Sequence, residues 1–194
     1  MNYARRQQYR RLLWAGPTAA GAAAVAMLGV WLASMGATSI AGLLLLLAIG
    51  LGLHARHWLV LAGRSRVGAR SEAEVQRALA QLETEGWRLR HSLPWRGRGD
   101  IDSVAIAPTG VAFAIETKTQ TLEDRHVARV LEQAEWLTRR RRRWCRRGAL
   151  PVVCLARRRG VEHVEAGVLV VSIDRLTSAL GTFAGLRDRP GFLR

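Results

Sequence analysis

From Leu12 to Ala55 the chain runs for 44 residues without one Asp, Glu, Lys or Arg. A helix crosses the roughly 30 Å hydrocarbon core of a bilayer with about 20 apolar residues, so this stretch is about twice the length of one crossing. Small and polar residues gather near its middle, in Ser34-Met35-Gly36-Ala37-Thr38-Ser39. The pattern predicts two helices, about Leu13 to Ala33 and Ser39 to Trp58, folded back as a hairpin. Pro17 and the glycines are tolerated inside such helices because neighbouring backbone re-satisfies the freed groups, which an open loop in hydrocarbon does not achieve. A cleavable leader would explain the basic start and the first apolar run, but the second run follows directly and would still hold the remainder at the membrane. A hairpin buried in soluble protein would need more cover than the residues after Trp58 supply.

Charge follows the same division. Residues 1–71 hold eight arginines and no acid, whereas residues 72–194 hold 22 basic and 15 acidic side chains, for a formal net charge of +15 overall. Arg5, Arg6, Arg10 and Arg11 flank one end of the apolar stretch, and Arg56, Arg64, Arg66 and Arg70 flank the other. The excess of arginine at both ends predicts that both lie in the cytoplasm, at the cell's inner membrane. Trp14 and Trp58 fall where interfacial aromatics sit. Residues 1–58 are therefore expected as a two-span anchor and 59–70 as a short basic linker near anionic headgroups. A folded domain is expected over 71–180, with an irregular tail over 181–194. A partner for so basic a chain is anionic: nucleic acid or acidic lipid. Cys145 and Cys154 show no ligand spacing and fit packing roles in a reducing compartment.

The folded part opens with Ser71 as a helix cap and Glu74 at the capping-box spacing. Val75, Ala78, Leu79 and Leu82 then mark one apolar face. On pattern alone Glu72 reads as a partner of the helix dipole. Gly86 ends this helix, Trp87 to Trp95 alternates as a strand, and Arg96-Gly97-Arg98-Gly99 is a basic turn. Ile101 to Ala107 and Val111 to Lys118 then form a hairpin around Pro108-Thr109-Gly110. A three-residue loop with Gly in its last, left-handed position is a favoured connection. It pairs Ala107 with Val111, and counting back sets Asp102 opposite Glu116, with Cβ atoms about 5 Å apart. Lys118 shares that face, since strand side chains alternate with period two, while Val111, Phe113 and Ile115 face the core. Lys118 is also the sole lysine among 30 basic residues.

Two opposed carboxylates and a lysine suit a hard divalent cation, Mg²⁺ or Mn²⁺. Such an ion takes one or two carboxylates, keeps several waters and completes its shell with phosphate oxygens. The bland alternative is a salt-bridged cross-strand cluster at a sheet edge. Asp100 shares the face of Asp102 and either assists the metal or sits at the strand entrance.

Beyond the hairpin, Leu122 to Arg147 reads as one helix buried through Val127, Val130, Leu131, Ala134 and Leu137. Its end holds seven arginines in nine residues, 139–147, which is either a phosphate-binding surface or a face against acidic lipid. A strand over Leu150 to Ala156, the basic turn Arg157-Arg158-Arg159-Gly160, a strand over Gly167 to Ser172 and a helix over Ile173 to Leu180 complete the domain. The fold class is therefore α/β: a mixed sheet in αβββαβ order with a further strand and helix. His91, His126 and His163 have no metal spacing and read as surface or turn residues.

The span from about Gly68 to Leu180 resembles a nuclease-related domain (NERD), of the broad PD-(D/E)XK, restriction-endonuclease-like fold. The resemblance rests on Ser71-Glu72, Gly99-Asp100-Ile101-Asp102, Pro108-Thr109-Gly110 with Val111 to Ile115, and Glu116-Thr117-Lys118. It implies Asp102 and Glu116 as metal ligands, Lys118 as the catalytic lysine, and Glu72 as a helix-borne acid at the same site. The chain departs from the family pattern at Ser71, where a second glycine is common, and in its short Thr119–Asp124 segment, which leaves Gln133 without a role. The expected activity is metal-dependent hydrolysis of nucleic-acid phosphodiester bonds, on DNA ahead of RNA. Phosphate contacts are expected from Arg98, Arg139, Arg140, Arg142, Arg143 and Arg146. The competing expectation is a membrane-tethered module that binds nucleic acid or acidic lipid without turnover.

Overall fold

The computed structural model describes residues 3–97 and 99–186, with the backbone alone for residues 3–8 and 64. It divides into two compact units, Met1–Val67 and Gly68–Arg194.

In the first unit, helix α1 (Tyr3–Ser34) and helix α2 (Thr38–Ala80) are joined at Met35-Gly36-Ala37. Gly36 takes φ +84°, a left-handed conformation that glycine adopts without steric cost. Ala41, Ala48, Ala55 and Ala62 are buried at strict seven-residue spacing along α2, and Ala15 is buried on α1. A seven-residue repeat keeps one seam facing a partner helix, and small residues let the backbones approach. The approach is close: a Cβ on Gly29 would lie 3.4 Å from the Ala41 carbonyl and 3.3 Å from Leu44 Cβ. At the open end of the hairpin Arg11 donates to the Leu61 carbonyl at 2.9 Å and to the Ser65 hydroxyl. Leu13, Trp31, Leu43, Leu46 and Ile49 all point outward, exposed. Both helices are long and apolar enough to cross a membrane.

One expectation is corrected here. Residues 59–70, read as a short basic linker, are helical, and Ser71 is not a cap, because α2 runs through both to Ala80. Alanine, leucine and arginine are good helix formers, and Gly63 and Gly68 each cost only about 1 kcal/mol relative to alanine. No proline interrupts the run. The division between the two units falls inside this stretch, at Val67/Gly68.

After a 3₁₀ turn (Gln81–Glu85) the second unit continues with β1 (Arg88–Pro94), β2 (Asp100–Ile106), β3 (Ala112–Lys118) and α3 (Asp124–Arg140). It ends with β4 (Ala149–Leu155), β5 (Glu162–Glu165), β6 (Val168–Ser172) and α4 (Leu176–Leu186). The six strands lie in the order β1-β2-β3-β4-β6-β5. β1, β2 and β3 are antiparallel neighbours, β3, β4 and β6 run parallel, and β5 closes the edge antiparallel to β6. Val75 and Leu79 of α2 and Leu82 of the 3₁₀ turn pack with Leu176 and Leu180 of α4 against Phe113 and Ile115. On the other face Val127, Val130 and Leu137 of α3 cover Val104, Ala112 and Ala114. Helices on both faces explain why β3 is apolar at successive positions rather than alternating.

Three boundaries differ from the sequence reading. The helix expected to reach Arg147 ends at Arg140, with Arg141 at φ −123°. Like charges stacked at i, i+3 and i+4 disfavour its continuation, and the turn that replaces it buries Cys145. The short strand β5 was not foreseen, because every one of its residues is exposed and no apolar alternation marks it. Residues 181–186, expected in an irregular tail, complete α4.

Candidate active site

The hairpin register is the one the loop dictates. Ser103 pairs with Ile115 and Ile106 with Ala112. The Ala107 N–H donates to the Val111 carbonyl at 2.8 Å, and Gly110 closes the loop at φ +87°. One step beyond the last pair, Asp102 comes opposite Glu116. There the Asp102 Oδ2 accepts the Thr117 N–H at 2.8 Å, so a carboxylate takes the place of a ladder carbonyl.

Glu116 is buried, only 3 % exposed. Lys118 Nζ donates to its Oε1 at 2.7 Å, and Gln133 Nε2 donates to its Oε2 at 3.3 Å. Arg129 Nε lies 3.7 Å from the same Oε2. The Arg129 guanidinium also sits 5.8 Å from the centre of the Trp95 ring and donates to the Asp100 carbonyl at 3.5 Å. Gly99, at φ +109°, leaves room for it, since a Cβ there would lie 3.2 Å from Arg129 Nη2.

Burial holds the Asp102 carboxyl well above the usual carboxylate range, and the charges of Glu116 and then Glu72 push it further. The Thr117 N–H and the Lys118 ammonium oppose the shift without cancelling it. Three acids therefore crowd one field, and a divalent cation is the species that relieves such crowding. Among the described residues no group of three His, Cys, Asp or Glu side chains is arranged to enclose a metal ion. The donor set is instead an open pair of hard carboxylates, which suits a cation that keeps water and phosphate oxygens rather than a closed zinc site.

Asp102, Glu116 and Lys118 are brought together, and Glu72 acts on Asp102 through its charge. Asp100 opens β2 opposite Pro94, with its carbonyl on Arg129. Arg98 lies outside the described residues. Arg139, Arg140, Arg142, Arg143 and Arg146 are elsewhere. Arg147 N–H donates to the Gly110 carbonyl at 3.0 Å, and a Cβ on Gly110 would touch Arg146 at 3.2 Å. The arginine run thus sits at the hairpin-turn end of β3, about 20 Å from Lys118 at the strand's rise of about 3.3 Å per residue.

Arg129, Gln133 and Trp95 carried no role in the sequence reading. Gln133 left a trace there: it is a polar residue on the apolar stripe of α3, and it is fully buried with no partner for its Oε1 among the described residues. His126, read as a surface residue, has its imidazole pKa lowered by partial burial and then by the charge of Lys118. It belongs to the surroundings of the site.

No curated protein and no solved structure matches the chain. Residues 67–157 match the model of a family described as nuclease-related domain, NERD. The matched segment takes in Glu72, the whole β2–β3 hairpin and α3, so residues 67–157 form a nuclease-related domain.

Proposed function

We propose that the chain is a membrane-anchored, Mg²⁺- or Mn²⁺-dependent nuclease that hydrolyses phosphodiester bonds on the cytoplasmic side of the cell membrane, on DNA ahead of RNA. The observation that carries this reading is Asp102 opposite Glu116 with Lys118 hydrogen-bonded to Glu116. Asp102 and Glu116 are the residues that would hold the cation. When bound, the cation neutralises charge on the phosphoryl group and lowers the pKa of a water. Lys118, a compact ammonium with three donors, orients the attacking water or meets charge on a phosphate oxygen. Gln133 and Arg129 fix the Glu116 carboxylate from the α3 side. The exposed apolar surface of α1 and α2 and their flanking arginines support the anchor.

The detergent-solubilised full chain should nick plasmid DNA with Mg²⁺, and Lys118→Ala should abolish the nicking. Equal cleavage by both proteins would overturn the assignment. One observation favours a second reading. Glu116 is already neutralised by Lys118 and Arg129, which is how a structural ion cluster looks. A non-catalytic binding module predicts salt-sensitive nucleic-acid or acidic-lipid binding that survives Glu116→Gln and Lys118→Ala, with no turnover under any metal.

A further inference from the structure

We infer that the nucleic-acid backbone adjoining the reacting phosphate lies in a cleft at the exit of β4, held by Arg77, Arg157, Arg158 and Arg159; this rests on the nuclease reading of the site. The cleft is about 500 Å³ and is lined by those four arginines with Glu74, above Ile173. That volume falls within the range of sites for molecules of nucleotide size.

Its place follows from strand pairing. Lys118 is in register with Leu155 on the neighbouring parallel strand. The Ala156 N–H donates to the Lys118 carbonyl at 2.8 Å, and the Arg157 N–H donates to the Thr119 carbonyl at 2.9 Å. The arginine turn therefore begins where Lys118 ends, one strand spacing of about 4.8 Å across. α2 reaches the same end of the sheet: Glu72, which acts on Asp102, lies two residues from Glu74 and five from Arg77.

The turn is built rather than loose. Gly160, at φ +67°, donates its N–H to Asp174 Oδ2 at 3.1 Å. Hydrogen bonds from Ser172 and then Gly160 hold the Asp174 carboxyl below its ordinary range, so it stays charged and keeps the turn closed. Val161 N–H donates to the Ser172 hydroxyl at 3.0 Å on the other side. Arg157, Arg158 and Arg159 are exposed and, among the described residues, pair with no carboxylate. Four guanidinium groups face one acid, and guanidinium binds phosphate through paired N–H donors. A concave site whose arginine turn begins one strand spacing from the end of the Lys118 strand fits a phosphodiester chain that must pass the carboxylates. The run at 139–147 does not, being about 20 Å away along β3.

The test uses the full chain in detergent, with a short fluorescein-labelled DNA duplex read by anisotropy in EDTA, so that binding is separated from turnover. The combined variant Arg157→Gln, Arg158→Gln, Arg159→Gln should weaken binding about tenfold or more and flatten the salt slope by about 2 to 3. Lysine at the same three positions should restore most of the binding, which a merely folding role for the turn would not allow. Arg139→Gln with Arg140→Gln, Arg142→Gln and Arg143→Gln should change binding less than the cleft variant does. Larger loss from that second set, or unchanged binding by the cleft variant, overturns the inference. So does a cleft variant that keeps DNA but loses vesicles containing phosphatidylglycerol, because the cleft would then serve lipid. If the wild type binds through the cleft but never cleaves, the nuclease reading fails and the cleft stands as a binding site. If it cleaves and the cleft variant cleaves with an unchanged KM, the cleft fails alone.

Discussion

The two ends of β3 each hold a gathering of charge, and the two are built in opposite ways. At the hairpin-turn end, arginine is abundant and largely engaged. Arg141 stacks on Trp144 and Trp136, at 5.0 and 5.9 Å from the ring centres. Arg139 pairs with Glu135 at 3.2 Å, and Arg146 packs against Gly110. At the exit end there are fewer cations, and burial and then the crowding of Glu116 and Glu72 raise the Asp102 pKa. The exit-end arginines at 157–159 have no acid of their own among the described residues. On the proposed reading, phosphate chemistry is therefore expected at the uncompensated charge beside crowded carboxylates and not where arginine is densest.

The largest separation between the ends should appear in turnover. Lys118→Ala is expected to lower kcat by about 10²–10³-fold, the scale of one charge-stabilising donor, with KM nearly unchanged. Arg143→Gln at the other end should leave kcat within about twofold. Plasmid-nicking rates at saturating Mg²⁺ measure both, and equal losses would erase the distinction.

The next effect is one of pH and metal. The Asp102 pKa is raised in the folded chain, so the folded state holds a proton there that the unfolded state has released. Stability from this group is present at low pH and is lost as pH rises through the window between the unfolded and folded values. A divalent cation offsets that loss. In EDTA the near-ultraviolet melting midpoint should fall as pH rises from 5 to 8, and Mg²⁺ should raise it more at pH 8. Asp102→Asn, which imitates the protonated form, should raise the midpoint in EDTA at pH 8 and abolish the response to Mg²⁺. A Mg²⁺ response that persists in Asp102→Asn would remove Asp102 from the ligands.

A smaller effect concerns Gln133, which grips Glu116 from α3. Gln133→Ala should lower kcat about tenfold through a looser carboxylate, with binding of the duplex in EDTA unchanged. Gln133→Glu should not rescue it, because a second carboxylate there repels Glu116. Loss of duplex binding in Gln133→Ala would mean that the residue supports the fold rather than the carboxylate.

What was legible in the sequence was whatever local rules specify. Pro108-Thr109-Gly110 admits one favoured loop, that loop admits one register, and the register sets Asp102 against Glu116. The charge-free run likewise fixed two helices. What escaped needed tertiary partners. α2 continues through 59–70 because nothing in Arg-rich, proline-free sequence stops it, and a good capping box at Ser71 is no signal when the preceding turn is already helical. The arginines at 139–147 were read as a phosphate-binding surface or a face against acidic lipid, and their place at the far end of β3 from Lys118 follows from the direction of the β3–α3–β4 crossover, which no local pattern announces. Arg129 came into the site through Trp95 and Gly99, which lie about thirty residues away in sequence and leave no local pattern.

The smallest expected effect tests the engaged end itself. Arg141 is the first residue past α3, and its guanidinium lies against two indole rings while the Arg141 N–H donates to the Leu137 carbonyl at 2.8 Å. Cation–π contacts at exposed positions are worth about 0.5–1 kcal/mol each. Arg141→Ala should therefore cost about 1 kcal/mol of stability, read as a lower melting midpoint, and leave both nicking and duplex binding unchanged. Arg141→Lys should recover only part of the loss, since the ammonium lacks the planar surface that stacks on Trp144. If Arg141→Ala instead weakened duplex binding as much as a cleft arginine does, the hairpin-turn end would be a nucleic-acid surface after all. The two ends of β3 would then differ only in chemistry and not in what they hold.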